Sequence, residues 1–174
     1  MIVQKSINLQ FVQVKYPDVK LLKQFISEAG TSLKSFRYFQ NRSLEVIKNH
    51  LCTFLLVDEG KPVVYGHLDI SDEATIAANC GSQEKIAPTK KTIWLGIAVT
   101  EKCLSMGLGV MMMSQLINFA KQNKVMEIKL AVDNDNVSAI KLYKKFNFKL
   151  IEKKEVFGFY LLKVWSQITR MKFN

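Results

Sequence analysis

Several things this chain has little of narrow its chemistry. Its three cysteines, Cys52, Cys80 and Cys103, are too few and too scattered for a disulfide framework or a metal site. The expectation is therefore a reducing, cytoplasmic setting and no bound metal. No apolar run approaches the ~20 residues that cross a bilayer. The opening stretch MIVQKSINLQFV lacks the basic, apolar, small-residue order of a signal peptide. Arginine occurs only at positions 37, 42 and 170, so the net charge of +10 is mostly lysine. Such a charge concentrates anionic ligands without choosing among them. Aromatic and basic residues do not interleave as a repeated base-stacking motif, which argues against nucleic acid as a partner.

What is present is a chain of 174 residues, 48% of them apolar, enough to bury a core as one domain over residues 1–174. Residues 8–15 alternate weakly and read as a strand. Pro17-Asp18 opens a helix capped by Asp18, with Leu21, Leu22, Phe25, Ile26 and Ala29 at helical spacing and Gly30 as its stop. A short helix is expected over 43–49, then strands 51–57 and 62–70 around the turn DEGK. Residues 71–91 lose periodicity, which suggests a functional or disordered loop. Strand 93–99 (IWLGIAV) is apolar enough for both faces to be covered. A helix with Val110, Met113, Leu116, Ile117 and Ala120 on one face follows. A buried strand at 125–132, a helix at 136–146 and two closing strands, 148–156 and 159–165, complete an α/β (α+β) order without a visible repeat.

Two motifs carry the chemistry. Strand 93–99 runs through the glycine turn MGLGV (106–110) into a helix, and NVSAIKLYKKFNF (136–148) comes later. A strand, a glycine turn and a helix N-terminus aim backbone N–H groups and the positive helix end at one spot, which suits a diphosphate. Gly107 and Gly109 let backbone approach without a Cβ in the way. The order and both motifs resemble the GNAT superfamily of N-acyltransferases across nearly the whole chain. That family's phosphate signature is Gln/Arg-x-x-Gly-x-Gly/Ala, and here it reads Leu104-Ser105-Met106-Gly107-Leu108-Gly109. Leu104 thus stands where a polar side chain is usual.

The resemblance implies a mixed sheet of about seven strands with flanking helices and a splayed strand pair that holds acyl-coenzyme A. It implies that the backbone of Ile97, Ala98 and Val99 pairs with the pantetheine arm and supplies an oxyanion N–H. Residues Leu104 to Val110 would hold the diphosphate, and Asn136 would cap its helix and reach the same arm. Tyr143 would be the general acid for the leaving thiolate. Gly96 would mark a bulge in the splayed strand. Cys103 precedes the turn without a histidine near it in sequence, so direct transfer is expected rather than an acyl-enzyme.

On the acceptor side many relatives carry a strand glutamate, which IWLG lacks. His67 and Asp69 share a strand face by period two, making them candidates for the base, with His67 first. His50 reads as structural or substrate-lining. The stretch SFRYFQNR offers Phe36, Arg37, Tyr38 and Arg42 for binding an acidic acceptor, together with Trp94. The combination SFRYF…R, KNHL, GKPVVYGHLD and IWLGIAV resembles a narrower group that acylates nucleotide-linked amino-deoxysugars of the dTDP-3-amino-3,6-dideoxyhexose type. Acetyl- or 3-hydroxyacyl-coenzyme A would then be the donor. Peptide, polyamine or other amine acceptors, and a silent acyl-coenzyme A binding module, are the other readings. The aromatic closing strands could pair across a homodimer.

Overall fold

The computed structural model describes residues 8–40, 42–70 and 92–165. The chain runs β1 (Leu9–Gln13), α1 (Lys20–Glu28), β2 (His50–Asp58), β3 (Lys61–Asp69), β4 (Thr92–Val99), α2 (Leu108–Gln122), β5 (Glu127–Asp133), α3 (Val137–Lys145), β6 (Lys149–Lys153) and β7 (Phe157–Lys163). The strands form one sheet in the order β1-β2-β3-β4-β5-β7-β6. Every neighbouring pair is antiparallel except β4 with β5. This is the expected α/β architecture with a seven-stranded mixed sheet.

Local chemistry explains most of the elements. Glu59 and Gly60, both at positive φ (46° and 79°), turn β2 into β3, as a two-residue hairpin requires. Asp18 does not cap α1: Val19 is the boundary residue and makes no side-chain cap, while Asp18 bridges Lys15. The expected helix over 43–49 is a 3₁₀ segment, Leu44–Asn49, capped by Ser43. The expected 71–91 loop lies outside the described residues.

The two sheet faces are covered unequally. One face carries α2 and α3 over a core of Leu56, Val64, Leu68, Leu95, Met112, Leu116, Leu130 and Tyr160. The other carries α1, whose Leu22 and Phe25 pack on Leu55, Val57, Tyr65 and Ala98. Strand β4 is buried on both faces over residues 93–96, as its apolarity suggested, whereas β5, expected as a buried strand, alternates buried and half-buried residues. Strand β7 lies between β5 and β6. Its aromatic residues thus sit in the sheet interior, and the dimer edge expected of the closing strands is left to β6 alone.

Candidate active site

The site begins where two strands part. Strand β4 pairs with β5 only through Thr92, Ile93 and Trp94, opposite Glu127, Ile128 and Lys129. It stays paired with β3 from Asp69↔Trp94 to Val64↔Val99. Among the described residues, 95–99 therefore pair with a strand on one side only, and the sheet opens into a V. At its mouth Ser105 and Gly107 both take positive φ (64° and 78°), and α2 starts at Leu108. That helix start has no side-chain cap and no acidic residue in its first turn. Its first N–H groups are thus left to an external anion. Leu104 and Met106 are exposed and Val110 is half-buried. A Cβ at Gly109 would lie 3.4 Å from Leu142 and 3.7 Å from Val99, so α2, α3 and β4 converge there.

Helix α3 is capped by Asn136, whose side chain accepts from the N–H of Ala139 at 3.1 Å. Tyr143 is buried on its inner side, 5.9 Å from the Phe148 ring and 6.5 Å from the Tyr160 ring. Burial raises its phenol well above the ordinary range, which keeps it protonated.

On the α1 face beside the V lies a polar cluster with an aromatic wall. The period-two run Tyr65, His67, Asp69 points to this face, and His67 and Asp69 are 2% and 0% exposed. A register shift between His50 and Cys52 brings His50 beside them, opposite Asp69. The imidazoles of His50 and His67 stack at 4.4 Å. Tyr38 descends from the segment after α1, its hydroxyl 2.5 Å from Asp69 Oδ2 and 2.7 Å from His50 Nε2. Thr53 Oγ1 lies 2.7 Å from His50 Nδ1, and Tyr65 Oη 2.7 Å from His67 Nδ1. Arg42 sits over the Tyr38 ring at 4.7 Å.

The electrostatics follow from burial. Burial and Arg42, against the pull of Asp69, hold His50 down to a pKa of about 4. Burial, His50 and Arg42 push His67 well below the usual histidine range. Both rings are neutral at ordinary pH. Gly96 has a specific task here: a Cβ there would collide with the His67 ring, 2.8 Å from Nδ1 and 2.9 Å from Nε2. The β3–β4 register is unbroken at Gly96, so its role is room for the imidazole and not the expected bulge.

Comparison with known proteins places the chain in a family. The profile of the acetyltransferase (GNAT) family matches residues 19–148, which contain the V, the glycine turn and Tyr143. The chain belongs to the GNAT acetyltransferase family.

No curated protein compared with it matches. Among solved structures, an N-acetyltransferase from Staphylococcus aureus Mu50 is similar at a TM-score of 0.65, with 17% identity over 90% of this chain and 99% of that one. The yncA protein of Salmonella typhimurium, solved with its cofactor acetyl-CoA, aligns at a TM-score of 0.64 and 14% identity over 90% and 94% of the two chains. The ribosomal-protein-S18-alanine N-acetyltransferase of Escherichia coli aligns at 0.60, with 18% identity over 90% and 94%. At these identities the likeness is one of fold.

Acyl-coenzyme A is the cosubstrate of this GNAT fold, and the V fits it. The uncapped start of α2 and the left-handed Gly107, with open space where its Cβ would be, suit a diphosphate. The one-sided backbone of Ile97, Ala98 and Val99 suits an extended amide-bearing arm. Both cysteines among the described residues are free. Burial pushes Cys52 up to about 12, far from a nucleophilic thiolate.

Other sequence-predicted residues divide. Phe36 packs on Tyr65 at 5.6 Å and on Phe39 at 6.1 Å, an anchor that turns Tyr38 into the cluster. Arg37 is paired with Asp133 at the end of β5, at 2.5 Å, instead of joining Arg42 in one anion clamp. Trp94 is buried against Phe159, and its Nε1, like Nη1 of Arg42, finds no hydrogen-bond partner among the described residues. Sequence reasoning left out Thr53, Tyr65 and Asp133. The Tyr65–His67–Asp69 alternation carried a signal for Tyr65; the shift that brings His50 and Thr53 in carried none.

Proposed function

We propose that this GNAT enzyme moves an acetyl or short hydroxyacyl group from acyl-coenzyme A to the amine of an acid-bearing small molecule, best a nucleotide-linked amino-deoxysugar. The observation that carries this is the pair of buried donors, Arg42 Nη1 and Trp94 Nε1, that find no partner among the described residues on the acceptor face. A buried donor without a partner costs roughly 1–3 kcal/mol, which an acidic or hydroxyl-rich ligand recovers on binding. The net charge of +10 favours the same class and disfavours polycations.

Coenzyme A would lie along residues 97–99 with its diphosphate at Ser105–Gly109 backbone and the start of α2, supplying an activated acyl carbonyl when bound. A backbone N–H near Ala98–Val99 stabilises the oxygen of that carbonyl. The amine approaches from the α1 face, beside Tyr38 and His67, and attacks directly. Tyr143 gives its proton to the departing sulfur, with the burial that keeps it protonated as its support. Weakly basic ring amines reduce the demand on the proton acceptor.

The test is thiol release from acetyl- and 3-hydroxybutyryl-coenzyme A with dTDP- and UDP-amino sugars, spermidine and alanyl peptides. Release confined to amino-sugar nucleotides is the expected result. Release with the peptides alone would transfer the reading to peptide N-acetylation, in line with the alanine N-acetylation named for the similar Escherichia coli protein. Tight coenzyme A binding without release on any acceptor would make the protein a binding module.

A further inference from the structure

The bond directions in the polar cluster follow from counting protons, and they reassign the base. Tyr65 is wholly buried, and the partner its hydroxyl has is Nδ1 of His67. A buried phenol must spend its proton. Tyr65 therefore donates to Nδ1, which places the proton of neutral His67 on Nε2. A histidine in that tautomer offers a donor at Nε2 and no lone pair.

The second chain runs the other way. As a carboxylate, Asp69 only accepts, so Tyr38 gives it its single proton. The Tyr38 oxygen then accepts from Nε2–H of His50. Neutral His50 thus has a bare Nδ1, which accepts from the Thr53 hydroxyl. Every donor and acceptor on this path is matched, and the second lone pair of the Tyr38 oxygen faces Arg42, which hydrogen-bonds to it.

His50, His67 and Asp69 offer ligand atoms within 4.8 Å of one another, which raises the question of a metal. The stacked rings answer it. Imidazole lone pairs lie in the ring plane, and two stacked rings with centroids 4.4 Å apart and planes 18° from parallel do not converge on one ion at about 2.1 Å. The Tyr38 hydroxyl, bonded to both His50 and Asp69, holds the space between them.

We propose that the amine proton leaves through Tyr38 to Asp69, with His67 serving as a hydrogen-bond donor to the acceptor. The inference rests on the reading that the acceptor amine enters from the α1 face. As the N–C bond forms, an N–H bond breaks and its proton goes to the lone pair of Tyr38 Oη that Arg42 leaves on turning to the acid group of the acceptor. The phenol's own proton passes to Asp69 Oδ2, which ends as a carboxylic acid and returns the proton to solvent after product leaves. Tyr38 is the catalytic residue of this step. His50 and Thr53 are positioning residues that fix the phenol's orientation. The groups facing the relay are His50 and Thr53 from β2, Tyr65 and His67 from β3, and Arg42 from the segment before β2; β4 contributes uncharged Trp94 and Gly96.

The experiment compares pH profiles of thiol release for wild type, Tyr38→Phe, Asp69→Asn and His67→Gln on the acceptor panel above. Coenzyme A dissociation constants serve as the control for folding. The relay predicts that Tyr38→Phe and Asp69→Asn lose on the order of 100-fold in kcat, with coenzyme A binding unchanged. It further predicts that their rates climb steadily with pH where wild type is level, because solvent base replaces the relay. A packing defect would lower the rate equally at all pH. In His67→Gln the wild-type profile shape is expected at reduced height. If His67→Gln instead acquires the climbing profile while Asp69→Asn keeps the level one, His67 is the base and the relay is overturned. Should Tyr38→Phe or Asp69→Asn fail to bind coenzyme A, 3-fluorotyrosine at position 38 takes their place. Its stronger donation to Asp69 moves the onset of the level region to lower pH, and an unmoved onset overturns the proposal. A wild type inert with every acceptor would remove the acyltransfer reading itself, whereas an active wild type with equally active variants removes the relay alone.

Discussion

The only two histidines in the chain stack on each other inside the protein, and both are held neutral there. In the unfolded chain each would titrate near 6.5. As pH falls from 6.5 toward about 4, the unfolded state takes up protons that folded His50 refuses, so stability declines across that window. His67, shifted in the same direction, adds to the decline. The slope approaches about 1.4 kcal/mol per pH unit for each histidine. Urea unfolding at pH 7, 6 and 5 checks this, and His50→Gln is expected to flatten the curve by one histidine's share. Gly96→Ala acts at the same place for a steric reason. A methyl there meets the His67 ring, at an expected cost of about 1–3 kcal/mol with loss of activity, measured by melting and thiol release. Chain order gives no hint of this partnership, because a glycine in a strand reads equally well as a bulge.

At the scale of elements, α2 is a helix whose start has been left open. Gly107 holds φ +78°, a conformation that costs other residues about 1–2 kcal/mol. Gly107→Ala is expected to weaken coenzyme A binding about tenfold, by calorimetry, through backbone strain and a methyl at the diphosphate. Leu104 is 51% exposed at the turn, at the position where the resemblance to the phosphate signature implies Gln or Arg. Leu104→Arg is expected to tighten coenzyme A binding about fivefold, near 1 kcal/mol, without changing stability. The glycine spacing and the apolar spacing of α2 made this element legible before any coordinates. The α1 boundary was less so: Val19 begins the helix without a cap, and Asp18 is drawn into a bridge with Lys15.

For the molecule as a whole, unequal covering of the sheet places the chemistry. Helices α2 and α3 close one face from β2 to β7, while α1 reaches the β2–β4 half of the other. The half-buried residues of β5 and β7, Trp94 and the Arg37–Asp133 pair lie on the other half of that face, which no described helix covers. A chain of net charge +10 draws anionic substrates toward it. The expected consequence is a fall in kcat/KM for acyl-coenzyme A as salt rises from 50 to 500 mM, with kcat little changed. Arg37→Ala should alter stability by less than about 1 kcal/mol, since the pair is partly exposed. Among the described residues no helix is long and apolar enough to cross a membrane.

The sequence by itself determined the α/β class, the glycine turn feeding a helix, and the tyrosine helix that follows. These rest on local rules: apolar period, positive-φ residues, and capping by Asn136. It also set His67 and Asp69 on one face, because a strand alternates. Tertiary structure decided the rest. A register shift brought His50 opposite Asp69, and Phe36 anchored Tyr38 above both. Arg37 went to Asp133 on β5, ninety-six positions away. The hydroxyl of Tyr65, on the same strand face by alternation, came within 2.7 Å of His67 Nδ1. Hydrogen-bond direction depends on which groups share a buried space, and that space is made by strands and segments distant in the chain.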